Sequence, residues 1–148
     1  MSEALLRFIS SDPQWSPSPA AVEAAKALLR TMLPKAETID ATFSDTTTFY
    51  DPGQNWSGVE CDQCGADADG WWGDAVDVAA RSGFTDLHTA APCCGAKVSL
   101  NDLHYVWPAG FGRFALEAMN PDADTTADQE QALSQCLGTG LRKIWVGI

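Results

Sequence analysis

Two cysteine pairs constrain what this chain can fold into more than any other feature of its sequence. Cys61 and Cys64 stand in the stretch C-D-Q-C-G, and after 28 intervening residues Cys93 and Cys94 stand side by side in P-C-C-G. A glycine after each pair permits the left-handed backbone of a tight turn, in which thiolates can point at one ion. Adjacent cysteines that lie in a turn, and not in an extended strand, can converge in the same way. The spacing therefore predicts one metal ion held tetrahedrally by four sulfurs at about 2.3 Å.

The second pair departs from the regular spacing by one displaced sulfur. A regular turn would read C-P-x-C-G and would carry its first cysteine at position 91, where this chain has Ala91. Pro92, Cys94 and Gly95 keep the regular register, and the missing sulfur has moved two places to Cys93. All four sulfurs are still expected to reach a common ion.

Other arrangements of these thiols remain open at this point. His88 or His104 could replace one cysteine, because three cysteines and one histidine also form metal sites. The thiols could also stay free, form a strained vicinal disulfide, or bind no metal. The odd number of five cysteines argues against a complete disulfide framework. The fifth, Cys136, lies on the apolar stripe of a later predicted helix and is interpreted as a small core residue.

Residues 56–110, which contain both pairs, resemble zinc ribbons. The pairing of C-x-x-C-G with P-C-C-G is also similar to a group of uncharacterised bacterial proteins. The resemblance to zinc ribbons implies Zn²⁺ bound by the four paired cysteines. Rubredoxins resemble this chain in spacing and acidity, which makes iron and electron transfer the alternative, although their two regular cysteine turns are not reproduced here.

The N-terminal part of the chain predicts strand, helix and strand. Residues 4–10 form a short apolar run that is typical of a strand. Ser18 is a suitable N-cap for a helix over 19–33, in which apolar residues recur at helical spacing. Residues 38–49 alternate apolar with polar side chains, which predicts a half-buried strand with Phe43 on its inner face and one phase throughout.

The C-terminal part repeats this order. Residues 111–119 alternate like a strand, and Thr126 with Gln129 matches a capping box before a helix over 127–137. A β-branched segment, 141–148, then predicts the last strand, with Ile148 on the same face as Arg142, Ile144 and Val146.

Two strand–helix–strand units predict a ferredoxin-like split βαβ sandwich of the α+β class. The sandwich is assigned to residues 1–55 and 111–148, and residues 56–110 to an inserted zinc-ribbon-like module. Within the insertion, residues 70–83 predict a short helix, and 84–90 with 96–100 predict the two arms of a hairpin. These elements offer too little apolar surface to fold unaided, so metal binding is expected to contribute to folding.

The charge of the chain excludes several classes of partner. The formal net charge is −11, from 20 acidic and 9 basic side chains. Residues 56–112 carry eight acids against Arg81 and Lys97, and thiolates around Zn²⁺ would add negative charge. This surface repels nucleic acid and anionic lipid and favours a basic protein as partner. The sequence shows neither a secretory nor a membrane segment, which predicts a cytoplasmic protein.

The sequence does not point to an enzyme. Catalytic zinc keeps a position open for water, usually beside a general base, and the deaminase and H-E-x-x-H patterns are both missing. Asp67, Asp69, Asp74 and Asp77 are interpreted as a solvated acidic face. A zinc-dependent hydrolase that uses three cysteines and a water is kept as an alternative.

Two adjacent tryptophans suggest where a partner would bind. The simpler interpretation is that Trp71 and Trp72 fill a small core. Adjacent helical residues project about 100° apart, so both can hardly face inward. Together with Asp74 they are predicted to form a contact for a basic partner. The predicted function is a non-enzymatic zinc-binding protein that acts as an acidic interaction module, such as an adaptor, inhibitor or immunity-type protein.

Overall fold

A computed structural model describes residues 3–148 of the chain. Residues 1 and 2, which begin the predicted 1–55 segment, lie outside the described residues. The described chain contains three helices and eight strands. In chain order they are β1 (Ala4–Ser10), α1 (Pro19–Met32), β2 (Thr38–Tyr50), β3 (Val59–Glu60), α2 (Asp69–Ala80), β4 (His88–Ala90), β5 (Lys97–Ser99), β6 (His104–Tyr105), β7 (Gly110–Met119), α3 (Ala127–Leu137) and β8 (Leu141–Gly147).

Four strands form one sheet in the order β2-β7-β1-β8. All neighbouring pairs are antiparallel. The two central strands bury apolar side chains on both faces, and Phe114, Ala115 and Leu116 of β7 are all buried. The prediction of an α+β fold with an antiparallel sheet is confirmed.

Helices α1 and α3 cover one face of this sheet. The side chain of Ser18 accepts the N–H of Ala21, and Thr126 with Gln129 forms the predicted capping box. An apolar core forms here, between the helices and residues such as Phe8 and Leu116. No helix among residues 3–148 has both the length and the apolarity that crossing a bilayer requires.

The opposite face has a smaller core that includes Ile9 and Ile144, both fully buried. Beside it, Arg7 Nε donates to Glu117 Oε2 at 2.7 Å, and the guanidinium lies over the ring of Tyr50. Ile148 lies beyond the end of β8 and is exposed, so the expectation that it shares the inward face of Ile144 is wrong.

Two expectations about β2 are also wrong. The pairing of β2 with β7 shifts register between Phe43 and Thr48, so the strand does not keep one phase to its end. Phe43 lies on the predicted inner face, where its ring contacts that of Phe114 at a centroid distance of 5.4 Å, but it is 58% exposed and not buried as expected. The reason is that β2 is an edge strand, so a side chain at its margin has neighbours on one side only.

A separate apolar core lies within the segment between β2 and β7. It includes Leu100 and Tyr105, and it is continuous with the sheet because Phe49 and Phe111 pack into it. The rings of Phe49 and Phe111 lie 4.9 Å apart. The predicted hairpin is present, because β4 pairs with β5. The domain boundaries at 55/56 and 110/111 stay a prediction.

Candidate metal centre

The first cysteine pair lies in a tight turn that closes a short antiparallel ladder. Glu60 and Asp67 face each other across the ladder. Cys61 N donates to Ala66 O at 2.8 Å, and Gly65 N donates to Cys61 O at 2.9 Å. Gly65 has a φ of +76°, the left-handed conformation that a residue with a Cβ rarely adopts. The glycine after the cysteine pair is therefore required by the turn itself.

The second cysteine pair lies in a turn with the same hydrogen-bond pattern. Ala90 and Lys97 face each other in the β4–β5 ladder. Ala91 N donates to Ala96 O at 2.8 Å, and Gly95 N donates to Ala91 O at 2.7 Å. The φ of Gly95 is +74°. The second turn thus keeps the backbone of the first although it carries its cysteines at different positions.

The two turns bring four sulfurs together. The Sγ atoms of Cys61, Cys64, Cys93 and Cys94 all lie within 4.8 Å of one another. The Sγ–Sγ distances are 3.9 Å from Cys61 to Cys94 and 3.3 Å from Cys64 to Cys93. Four sulfurs arranged tetrahedrally at 2.3 Å from an ion would be about 3.8 Å apart. The four thiols therefore lie close enough together to share a single ion.

The four thiols differ in their surroundings. Cys61 is buried, whereas Cys64, Cys93 and Cys94 are exposed. Backbone N–H groups point at Cys61, and Gln63 N lies 3.4 Å from its sulfur. Hydrogen bonds from the N–H groups of Cys64 and Gln63 lower the pKa of Cys61 to about 7. Cys61 is thus the thiol whose anion the fold stabilises best, as a metal ligand requires.

Neighbouring thiols have the opposite effect on Cys93. The hydrogen bond with Cys64, together with local desolvation and the contacts with Cys61 and Cys94, raises the pKa of Cys93 to about 12. A cation in the centre of the cluster would remove this cost, because it would stabilise all four thiolates. The donor set suits Zn²⁺, and it also suits iron.

Neither histidine belongs to the cysteine cluster. His104 Nδ1 lies 2.7 Å from Glu60 Oε1, and His88 Nδ1 lies 3.2 Å from Asp86 Oδ1. Within residues 3–148, the only group of three or more potential ligands that could share an ion is the set of four cysteines. The fifth cysteine, Cys136, contacts the core beneath α3, as its interpretation as a core residue requires.

The residues predicted to contact a partner all lie on α2. Trp72 and Trp71 are both half-buried against the second core, and Asp74 is exposed. Trp72 Nε1 donates to Tyr105 Oη at 3.1 Å. Trp71 Nε1 is buried and has no hydrogen-bond acceptor among the described residues. Their role in partner binding stays a prediction.

Sequence reasoning missed a cleft that lies beside these tryptophans. Its walls include Phe49, Asp51, Trp56 and Trp72. The stretch Y-D-P-G-Q-N-W, residues 50–56, indicates turn chemistry, and nothing in its pattern shows that the turn brings Asp51 and Trp56 to the wall of one cleft. The feature of the sequence that could have indicated the cleft is Trp56, the tryptophan at the end of this turn.

No family model, no curated protein and no solved structure matches this chain.

Proposed function

We propose that residues 56–110 form a zinc-ribbon-like module in which Cys61, Cys64, Cys93 and Cys94 hold a structural Zn²⁺. The observation that carries the proposal is the convergence of four sulfurs within 4.8 Å from two separate turns of matching backbone. Zinc with four thiolates is a common structural centre that supplies folding free energy. The core of the inserted segment meets the sheet at Phe49 and Phe111. The ion would therefore also stabilise this junction.

A structural role is favoured over a hydrolytic one by the number of sulfurs. Four thiolates complete the coordination of Zn²⁺ and leave no position for water. The imidazoles that could serve as a general base are held by Glu60 and Asp86. We therefore infer no hydrolytic step.

The topology of the sheet supports a ferredoxin-like split βαβ sandwich as the host of this module. The unit β1–α1–β2 places its two strands on either side of β7, and the unit β7–α3–β8 places its two strands on either side of β1. Each strand–helix–strand unit is thus split by a strand of the other. The inserted residues join β2 to β7 and form two separate two-stranded ladders, β3–β6 and β4–β5.

The biological role that we propose is an acidic, non-enzymatic interaction module of the cytoplasm, of the adaptor, inhibitor or immunity type, that binds a basic protein. The net charge of −11 and the exposed Asp74 and Asp77 on α2 support this proposal. Val78, 57% exposed on the same helix, adds apolar surface beside these carboxylates. Charge of one sign attracts a partner of the other and speeds association.

The zinc proposal is tested by metal analysis of the full chain purified without added metal. We expect about one zinc per chain, with at least tenfold less in Cys61→Ser. Cys136→Ser is the matched control, because Cys136 lies outside the cluster and is expected to leave the zinc content unchanged. Protein that contains no metal, or equal zinc in both variants, would refute the proposal.

An iron centre for electron transfer is the second candidate. It is favoured by the exposure of Cys64, Cys93 and Cys94, because an exposed sulfur gives an electron partner short access to the ion. The N–H of Gln63 that points at Cys61 would also stabilise the reduced site. Visible absorption of the purified protein decides between the ions, since iron–thiolate is coloured and zinc–thiolate is colourless.

The interaction role is tested by binding of basic proteins from the native cytosol to the immobilised chain. We expect retention at low salt that falls as salt rises, because exposed charges are screened. Asp74→Asn is expected to weaken retention more than Asp128→Asn, an equally exposed change on α3. Retention that is absent at low salt, or equal in both variants, would contradict a role for α2.

A further inference from the structure

A small aromatic cleft opens beside the metal module. It has a volume of about 240 Å³ and is lined by Phe49, Asp51, Gly53, Trp56 and Trp72. Three of these five residues are aromatic, and the only charged group among them is a carboxylate. The cleft is smaller than a typical pocket for a drug-sized ligand. It therefore suits a single small group.

From the rings and the carboxylate, we propose that this cleft binds an alkylammonium cation. The ligand would place its charged head against the aromatic faces and beside Asp51. None of the residues that line the cleft belongs to the cysteine cluster, but Trp72 lies in the inserted segment that the ion is proposed to stabilise, so binding is tested on the metal-loaded chain. It goes beyond the proposed interaction role because it names a specific ligand chemistry.

The rings are inclined to one another and offer more than one face to a shared opening. The centroids of Trp56 and Trp72 are 5.2 Å apart with 42° between the planes. Phe49 lies 5.3 Å from Trp72 at 59° and 6.3 Å from Trp56 at 79°. A cation within about 6 Å of a ring centroid is attracted by the negative face of the ring. A group in this cleft can contact several rings at once.

The ring of Trp72 is held in place from within the protein. Its Nε1–H donates to Tyr105 Oη at 3.1 Å, and the Tyr105 hydroxyl in turn donates to Leu100 O at 2.6 Å. Tyr105 is buried, so this chain of hydrogen bonds is shielded from water. Because the N–H of Trp72 already donates to Tyr105, a ligand would contact this indole through its π face. The cleft is thus pre-organised, which lowers the entropic cost of binding.

The loop that carries Asp51, residues 51–55, is also held in place. Asp51 Oδ1 accepts the N–H of Gly53 at 2.9 Å, and Gln54 N donates to Gly147 O at 2.9 Å. Gly53 has a φ of +59°, and a Cβ there would collide with Gly147 O. Asn55 Nδ2 donates to Trp145 O at 3.1 Å. These contacts tie the loop to β8 and keep the carboxylate at the mouth of the cleft.

The electrostatics favour a cation over a neutral apolar ligand. The second oxygen of Asp51 makes no hydrogen bond within residues 3–148, and the side chain is exposed. Arg7 Nη1 donates to the backbone oxygen of Asp51 at 3.4 Å and not to its carboxylate. Its charge is paired with Glu117 at 2.7 Å. The carboxylate of Asp51 therefore remains available to a ligand.

The test follows the indole N–H signals of Trp56 and Trp72 in ¹⁵N-labelled full-length protein during titration with choline. We expect saturable shifts of both signals. The neutral isostere 3,3-dimethyl-1-butanol has the same shape without the charge and is expected to bind at least fivefold more weakly. Asp51→Asn keeps the acceptor for Gly53 N and is expected to weaken choline binding about fivefold, the scale of an exposed ion pair. Asp128→Asn is the matched control and should have no effect.

Three results would overturn the proposal. They are the absence of a saturable shift at Trp56 and Trp72, equal binding of choline and its neutral isostere, and unchanged choline binding by Asp51→Asn. A peptide with one trimethyllysine and its unmodified lysine counterpart then identify the source of the cation. Stronger binding of the modified peptide than of choline supports a modified side chain, and the reverse supports a free quaternary amine.

Discussion

Ala91 occupies in the second cysteine turn the position that Cys61 occupies in the first. The N–H of each residue bonds the carbonyl five residues later at 2.8 Å, and the carbonyl of each accepts the N–H of the glycine four residues later. Both residues are buried, Cys61 at 1% exposure and Ala91 at 0%. The second turn therefore has the backbone of the first turn, and its first sulfur is supplied from position 93.

This equivalence predicts that the displaced sulfur can be moved back. Cys93→Ser is expected to weaken zinc binding about 100-fold or more, if four ligands share roughly 10–16 kcal/mol of binding free energy. Adding Ala91→Cys to that variant restores a regular C-P-x-C-G turn and should recover most of the lost affinity. Competition with a zinc chelator measures both values.

The control for this exchange is Ala91→Cys in the wild-type background. It leaves four ligands in place and adds a fifth sulfur, so a tetrahedral site is expected to gain little affinity. If the double variant binds zinc no better than Cys93→Ser, position 91 does not place a sulfur at the ion in the way that position 61 does.

Removal of the metal is expected to loosen the inserted segment and leave the main sheet folded. The reason is that the core around Tyr105 is enclosed by one helix and two-residue or three-residue strands, whereas the core around Leu116 lies between two helices and a four-stranded sheet. Hydrogen exchange after chelation should rise in residues 59–105, while the centres of β1 and β7 stay protected. Equal loss of protection in the inserted segment and in the sheet would show that the two unfold as one cooperative unit. Unchanged protection of residues 59–105 in metal-free protein would show that the metal is not structural.

The sequence predicts the parts of this fold that local chemistry determines. The capping residues Ser18 and Thr126 act as their residue types predict, because an N-cap needs only its own turn. The two glycines after the cysteine pairs have the left-handed backbone that their turns require. The position of Ala91 in the regular spacing predicts the register of the second turn.

The local sequence pattern does not predict the contacts between residues that are distant in the chain. The exposure of Phe43 depends on β2 being an edge strand and on the irregular pairing that follows it. The cleft between Phe49 and Trp56 exists because the turn at Gly53 is anchored to β8, at the other end of the chain. Such contacts leave no periodic trace in the local sequence.

Asn101 joins the inserted segment to the main sheet, and its loss is expected to destabilise the protein. Its Oδ1 accepts Phe111 N at 2.9 Å and Arg142 Nη1 at 3.2 Å, and its Nδ2 donates to Ser11 O at 3.3 Å. Asn101→Leu leaves the buried N–H of Phe111 without an acceptor. We expect a loss of about 2–4 kcal/mol in the free energy of unfolding by urea denaturation.

The matched variant is Asn101→Asp, which keeps an acceptor for Phe111 N and places a negative charge beside Arg142. It should lose less than half as much stability as Asn101→Leu. Equal losses in the two variants would mean that packing, and not the hydrogen bonds to Oδ1, determines the role of Asn101.

Tyr105 is expected to stay protonated at a pH at which an ordinary tyrosine is ionised. Burial raises its pKa to about 12, and the donated hydrogen bond from Trp72 opposes this effect only in part. At pH 11 a free tyrosine is about 90% ionised, whereas Tyr105 in the folded protein should be about 10% ionised.

The chain has two tyrosines, so Tyr50→Phe leaves Tyr105 as the only phenol that absorbance can report. The fold favours the neutral phenol, so its contribution to stability is complete below about pH 10 and is lost as the pH rises toward 12. We expect phenolate absorbance in Tyr50→Phe to appear together with alkaline unfolding; a transition near pH 10 in protein that is still folded would contradict the burial of this hydroxyl.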